Sequence, residues 1–235
     1  KTFISDSLQV AQIKKIPGVA YYTEILDENG LTENADRQMI VTLRGVGDDY
    51  AKNNGFDTVV RDGNFELKPH GRTGAIVGME IGAKLQLNAL SPLHIYVPKR
   101  DRNLAVHLNN LDEEPFNKDL ALVTGIYAVS SDFDGKYVIM PIEKVRELMA
   151  YTKESSSAEI GLAPNAKPDD VIAAISTILG PKFKVEGRYE QNKLLYQTLK
   201  SEKLWTFFIL LFILTIATFN TIGSLTLLII EKKKD

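Results

Sequence analysis

The chain has 235 residues, 25% of them charged, with a formal net charge of −2 and no cysteine. The near-neutral balance argues against a nucleic-acid binder, which would normally show a basic surface, and the missing cysteine excludes disulfides and thiolate metal sites without fixing a compartment. Mean hydropathy is −0.09, yet much of the apolar content lies beyond residue 200, so Lys1 to about Lys203 has an ordinary soluble composition.

In chain order, Ser7 is expected to cap a short helix with Leu8 and Ala11 on one face, ended by Pro17-Gly18. Val19 to Leu26 and Met39 to Val46 are expected strands, joined through a hairpin signal at Asn29-Gly30. Gly55 to Pro69 is turn-rich, and Ala75 to Gly78 reads as a short buried strand running into a helix through Leu87. His94 to Val97 and Leu120 to Val129 are strands, and the polar stretch Pro98 to Lys118 between them is too long for a minimal hairpin, a candidate working loop. Tyr137 to Met140 is a strand, with Pro141 opening a helix to about Tyr151. A strand at Ala158 to Leu162, a helix at Asp169 to Leu179 and a strand at Phe183 to Gly187 follow.

From Glu190 the pattern turns helical, with Leu194, Leu195, Thr198 and Leu199 as an apolar stripe, and no Gly or Pro interrupts it before Asn220. One continuous stalk is expected; a separate amphipathic helix hinged near Ser201 is the alternative. Leu204 to Ile230 carries no charged side chain. As a helix it measures about 40 Å, enough for the ~30 Å hydrocarbon core with length left for tilt. It is expected to be a transmembrane helix. Lys232, Lys233 and Lys234 behind it form a denser cluster than Lys193, Lys200 and Lys203 ahead of it, which favours a cytoplasmic tail and an extracytoplasmic domain. The chain begins at Lys1 with no signal sequence, and is expected to be a piece of a longer polypeptide.

No constellation supports enzymatic chemistry. His70, His94 and His107 stand apart from any metal-ligand spacing. Asp132-Phe133-Asp134-Gly135 lacks the later ligands of a calcium loop and reads as a turn. No GxxxxGK[ST] loop or nucleophile elbow is present, and Glu113 and Glu114 read as a solvated loop face. Within the apolar helix, Ala217, Thr221 and Ser224 share a face with Asn220 beside them. Small residues let helices approach, and an amide in hydrocarbon needs a partner, so this face is expected to contact other membrane helices. Thr and Ser bonding back to their own helix is the alternative.

Glu202-Lys203, an apolar run, Ala217-Thr218-Phe219-Asn220, Ser224-Leu225 and Glu231-Lys232 together resemble the second transmembrane segment of the lipoprotein-releasing ABC permeases of the LolC/LolE type. Ile76-Val77-Gly78 followed by Ala83 and Leu85 is similar to their ILGxxLAxxL stretch, and Val123-Thr124-Gly125-Ile126-Tyr127 followed by Asp132 to their VxGxF…D strand and turn. The broader superfamily includes MacB exporters and, more distantly, FtsX.

The resemblance implies an α+β fold: a MacB-like periplasmic core with an α/β porter part (1–46 with 155–203, the latter including the stalk) and a β-rich sabre part (47–154). One transmembrane helix (204–230) and a cytoplasmic stub (231–235) follow. It implies a periplasmic position for residues 1–203 and a permease without its own nucleotide site or cofactor. The implied partners are a cytoplasmic ABC ATPase, a second permease copy or paralogue, a periplasmic lipoprotein carrier, lipoprotein cargo and membrane lipid, with no nucleic acid. The function implied is release of lipoproteins from the inner membrane; a MacB-like exporter and an FtsX-like regulator of cell-wall hydrolases are the alternatives. A sabre loop of this family hooks the carrier. The corresponding stretch starts similarly at Tyr96-Val97-Pro98 and reaches a comparable Phe116-Asn117, but the proline-containing tip is replaced by Arg100, Arg102, Glu113 and Glu114. Pro98, Arg100, Arg102 and Phe116 are therefore the expected docking residues, with solvated loop charge as the other account of the arginines.

Overall fold

A computed structural model describes the backbone of residues 2–99, 115–191 and 193–233, and the side chains of these except 193–196. It divides into two units, Lys1–Gly180 and Pro181–Asp235.

The first unit opens with strand β1 (Phe3–Ile4) and helix α1 (Ser7–Ile13). The cap of α1 is Asp6, not Ser7: its carboxylate accepts from the Leu8 N–H at 3.0 Å, and Ser7 is already helical. A carboxylate accepts this bond with a full charge at the positive helix end, which favours Asp over its neighbour.

Strands β2 (Val19–Asn34) and β3 (Arg37–Val46) form an antiparallel hairpin whose turn is Ala35-Asp36, with Asn34 opposite Arg37. The expected turn at Asn29-Gly30 does not form, and β2 runs straight through it. Gly30 answers a close approach instead. A Cβ there would stand 2.8 Å from Leu43 Cδ1 and 3.3 Å from the Tyr96 carbonyl oxygen.

Helix α2 (Tyr50–Asn54), a 3-10 turn (Phe56–Val59) and β4 (Val60–Gly63) occupy the turn-rich stretch. Then come β5 (Gly74–Gly78), α3 (Met79–Leu85), β6 (Pro92–Pro98), β7 (Phe116–Tyr127), α4 (Ser131–Asp134) and β8 (Tyr137–Pro141). Helix α5 (Ile142–Leu148), β9 (Glu154–Ser155), β10 (Ser157–Leu162) and α6 (Pro168–Leu179) complete the unit. Asp132-Phe133-Asp134-Gly135 lies in and just after α4, where Asp134 Oδ1 accepts from the Val129 N–H at 2.9 Å.

Six strands pair in a ring: β2 with β3, β3 with β8, β8 with β5, β5 with β7, β7 with β6, and β6 back to the far half of β2. Closure removes the free edges of these strands. The length of β2 makes it possible, since its first half pairs with β10 and its last residues, Leu31 to Glu33, reach β6. Alternation sorts the side chains. Leu43, Val77, Ile95, Val123, Val138 and Met140 point into one buried cluster with Ile81 and Leu85 of α3 and Val145 and Leu148 of α5. Ile76 and Ile139, which alternate with them along β5 and β8, face a second cluster with Tyr50, Phe56 and Tyr127.

Arg146 of α5 ties β2 to β9. Its guanidinium donates to Glu24 Oε2 at 2.8 Å, Ser155 Oγ at 2.9 Å and the Glu154 carbonyl at 2.9 Å.

In the second unit no strand forms at residues 183–187, where one was expected. The alternation of Phe183 and Val185 with charged neighbours makes a strand only beside a partner strand. Helix α7 (Arg188–Gln191) and the 40-residue helix α8 (Lys193–Lys232) follow.

Candidate functional site

Helix α8 is the only helix among the described residues long and apolar enough to cross a membrane, over Gln197–Lys232. No Gly or Pro breaks it before Gly223, and Leu, Ile and Phe side chains stand exposed all round it, including Phe208, Leu211, Phe219 and Ile229. A helix that is apolar on every face has lipid or other apolar helices as its natural surroundings. Trp205 stands exposed near the Lys203 end, as amphipathic rings do at membrane–water boundaries.

The hydroxyls of this helix mostly turn inward on the backbone. Thr206, Thr215, Thr218, Thr221 and Thr226 each donate to the carbonyl four residues earlier, at 2.7–2.9 Å. Thr221 thus bonds to the Ala217 carbonyl at 2.9 Å. Ala217, Asn220, Thr221 and Ser224 lie on one broad face, and no hydrogen bond of the Asn220 carboxamide or Ser224 hydroxyl is found among the described residues.

The base of the candidate loop is well built. Pro98 and Phe116 are directly opposite across the β6–β7 pair, and the Lys99 N–H donates to the Pro115 carbonyl at 3.0 Å. Asn117 Nδ2 donates to the Leu148 carbonyl at 2.6 Å, fixing this end of β7 to α5. Phe116 is exposed there. Arg100 and Arg102, with Glu113, Glu114 and His107, lie outside the described residues.

Two charged groups are held by geometry that sequence reasoning missed. Arg44 on β3 meets Asp27 on β2, and its guanidinium lies 4.1 Å from the Tyr137 ring centroid. Burial pulls the Arg44 pKa down, but hydrogen bonding and charge from Asp27 raise it beyond its ordinary value. Burial likewise pushes the Glu24 carboxyl up, and hydrogen bonds from Ser5, Arg146 and Ser155 with the Arg146 charge more than offset it, so its pKa is lowered. Only the pairing of β2 with β3 and the reach of Arg146 from α5 to β2 make these contacts visible; nothing local in sequence marks them. Among the described residues no group of three or more His, Asp or Glu is placed to hold a metal, and His70 and His94 are exposed and far apart in the fold's order.

No protein-family model matches the chain. Over 94% of its length it is 23% identical to the lipoprotein-releasing system transmembrane protein LolC of Buchnera aphidicola subsp. Schizaphis graminum (strain Sg). The chain spans about half, 53%, of that curated relative. Among solved structures, the periplasmic region of MacB from Actinobacillus actinomycetemcomitans matches with a TM-score of 0.53 at 11% identity, covering 75% of this chain and 74% of that one. The extracellular domain of the noncanonic ABC-type transporter YknZ from Gram-positive bacteria matches with a TM-score of 0.51 at 11% identity, covering 78% and 87%. The fold is thus the MacB-like mixed α/β fold, followed by one long apolar helix. The chain resembles the ABC-transporter permeases of the MacB/FtsX-like superfamily, in sequence LolC and in fold MacB and YknZ.

Proposed function

We propose that this chain belongs to a permease that couples ATP hydrolysis by a separate cytoplasmic ATPase to release of lipoproteins from the inner membrane to a periplasmic carrier. The observation that carries the reading is collinearity: likeness to LolC extends over 94% of the chain, through the folded unit and on into the apolar helix. In this reading residues 1–203 are periplasmic, 204–230 cross the inner membrane and 231–235 begin the cytoplasmic side. Residues 1–46 with 155–203 would be the porter part and 47–154 the sabre part; β2 and β3 share a cluster with β5 to β8.

The physical task explains the architecture. Drawing an acyl chain out of lipid costs about 0.8 kcal/mol per CH₂, so a multiply acylated protein needs energy delivered from inside the cell. The 40-residue α8 is a stiff element suited to carry a displacement across the bilayer. The loop from Pro98 to Lys118, with Pro98, Arg100, Arg102 and Phe116, would dock the carrier. A second permease copy or a paralogue would complete the pathway.

A MacB-like exporter is the second reading, favoured by the fold match to the periplasmic region of MacB; an FtsX-like regulator of cell-wall hydrolases is the third. Depletion in the source bacterium separates them. Release predicts lipoproteins accumulating in the inner membrane. Normal lipoprotein sorting overturns it, with a loss of secreted substrate pointing to export and altered wall hydrolysis to regulation.

A further inference from the structure

Lys200 and Lys203 stand exposed on α8 just ahead of the uncharged run that starts at Leu204. With the folded unit outside the cell, this flank is where lysine is least expected, since Lys and Arg concentrate on the cytoplasmic flanks of membrane helices. Elsewhere in the chain Lys68, Lys84, Lys144 and Lys184 each meet a carboxylate. Lys200 and Lys203 do not: no ion pair of either is found among the described residues. At about 100° per residue the two lie about 60° apart on one face, and Glu202 is turned away from both by about 100° or more. Phe207 falls between the two lysines in angle, one turn further on, and Leu211 and Leu214 continue the same face; all three are exposed. The face is therefore cationic at its top and apolar below.

Depth decides what such a face meets. The polar layer on each side of the hydrocarbon core is about 5–7 Å deep, and Lys200 and Lys203 start about 6 and 1.5 Å above Leu204 along the axis. Trp205, exposed at this end, marks the same boundary from the other side of the helix. Helical side chains tilt towards the N-terminus, here away from the hydrocarbon, so both ammonium groups reach phosphate level while their stems lie against apolar surface. We propose that Lys200 and Lys203 hold the phosphate of an anionic phospholipid, its acyl chains running down the face of Phe207, Leu211 and Leu214. Each lysine offers three donors to the phosphate oxygens. A zwitterionic headgroup brings its own cation to the same place and gains less. An acidic protein segment would match the charge, but an anionic lipid matches the charge and the apolar face beneath it in one molecule. This inference rests on the permease reading, which puts Leu204–Ile230 in lipid with the folded unit outside.

The test uses the full-length protein in phosphatidylcholine vesicles, with any cysteine outside this cysteine-free stretch replaced by serine. A fluorophore on Leu204→Cys reports the lysine side of the helix, within about 40° of Lys200, and one on Trp205→Cys reports the far side at nearly the same depth. The quenchers are phosphatidylglycerol and phosphatidylcholine, each carrying a nitroxide high on one acyl chain. At low salt the labelled phosphatidylglycerol should half-quench the Leu204→Cys probe at a roughly tenfold lower mole fraction than labelled phosphatidylcholine, since each lysine beside anionic lipid is worth about a factor of five. The Trp205→Cys probe should be quenched alike by both lipids. Lys200→Gln/Lys203→Gln should remove the preference at Leu204→Cys, and Lys200→Arg/Lys203→Arg should keep it. Three results would overturn the proposal: equal quenching by the two lipids at Leu204→Cys, a preference that survives the double Gln change, or a Leu204→Cys probe reached by neither lipid, which would mean that protein covers this face. Any of these in a protein that inserts into the vesicles, and on which lipoprotein sorting depends, leaves the permease reading in place. A chain that stays out of the bilayer sinks both.

Discussion

Arg44 and Asp27 stand directly opposite one another on β3 and β2 and meet through two hydrogen bonds, Nε to Oδ1 at 2.9 Å and Nη2 to Oδ2 at 2.7 Å. The Arg44 side chain is 13% exposed, and the rings of Tyr137 and Phe133 lie over it at 4.1 and 5.5 Å. The planar fork fits a carboxylate on one side while its face fits an aromatic ring. Removing Asp27 leaves a buried cation unpaired. Asp27→Ala should therefore lower stability by about 3 kcal/mol or more, read by denaturant unfolding of the chain in detergent. The double change Asp27→Leu/Arg44→Met should recover most of that loss, because it removes the desolvated charge along with its partner.

Acid sensitivity follows from Glu24. Its folded pKa is held below the ordinary 4.5 by hydrogen bonds that outweigh burial. A depressed carboxyl contributes stability above its unfolded pKa and loses it as pH falls through the folded value. Melting temperature should thus fall on acidification below about pH 4.5, and Glu24→Gln should flatten that part of the profile. An unchanged acid limb in Glu24→Gln would remove Glu24 from the account.

Two glycines make opposite predictions. A Cβ at Gly78 would meet the backbone of Asp134, whose Cα would be 2.6 Å away, so Gly78→Ala should cost about 2 kcal/mol or more. Nothing lies within 4 Å of a Cβ at Gly47, so Gly47→Ala should be neutral or stabilising by about 0.5 kcal/mol. Thermal unfolding of both variants side by side checks the packing at the β5–α3 junction.

Much of this fold can be read from residue pattern alone. The runs Ala75 to Gly78 and Tyr137 to Met140 are apolar at every position because both faces of β5 and β8 are covered, and the strand at His94 announces itself by alternation. The uncharged run Leu204 to Ile230 of α8 is legible too, since composition alone sets it apart. Asn29-Gly30 misleads because glycine serves two needs, a turn or a close approach, and only the position of Leu43 tells which. Ring closure is invisible locally, because it depends on β2 being long enough to reach β6. The orphan amide of Asn220 could be suspected from sequence, but that every threonine around it is already satisfied emerges only with the helix geometry.

The stretch from Pro98 to Lys118 supplies a test of carrier docking. Arg100→Ala/Arg102→Ala should reduce capture of the periplasmic carrier in a pull-down by roughly tenfold, the loss expected from removing charge-assisted contacts of about 1.4 kcal/mol in all. Phe116→Ala should weaken capture as well, with the β6–β7 pairing at its base left intact. Unchanged capture in the double arginine variant would remove the docking role from these residues.

The account stands most directly on the placement of the two ends of α8. Single cysteines at Lys233 and Ser130, in a protein otherwise free of them, can be challenged in intact cells with a maleimide that does not cross the inner membrane. The account predicts labelling at Ser130→Cys from outside and at Lys233→Cys only after the membrane is opened. Labelling of Lys233→Cys from outside in intact cells, or recovery of the protein in the soluble fraction, would contradict it.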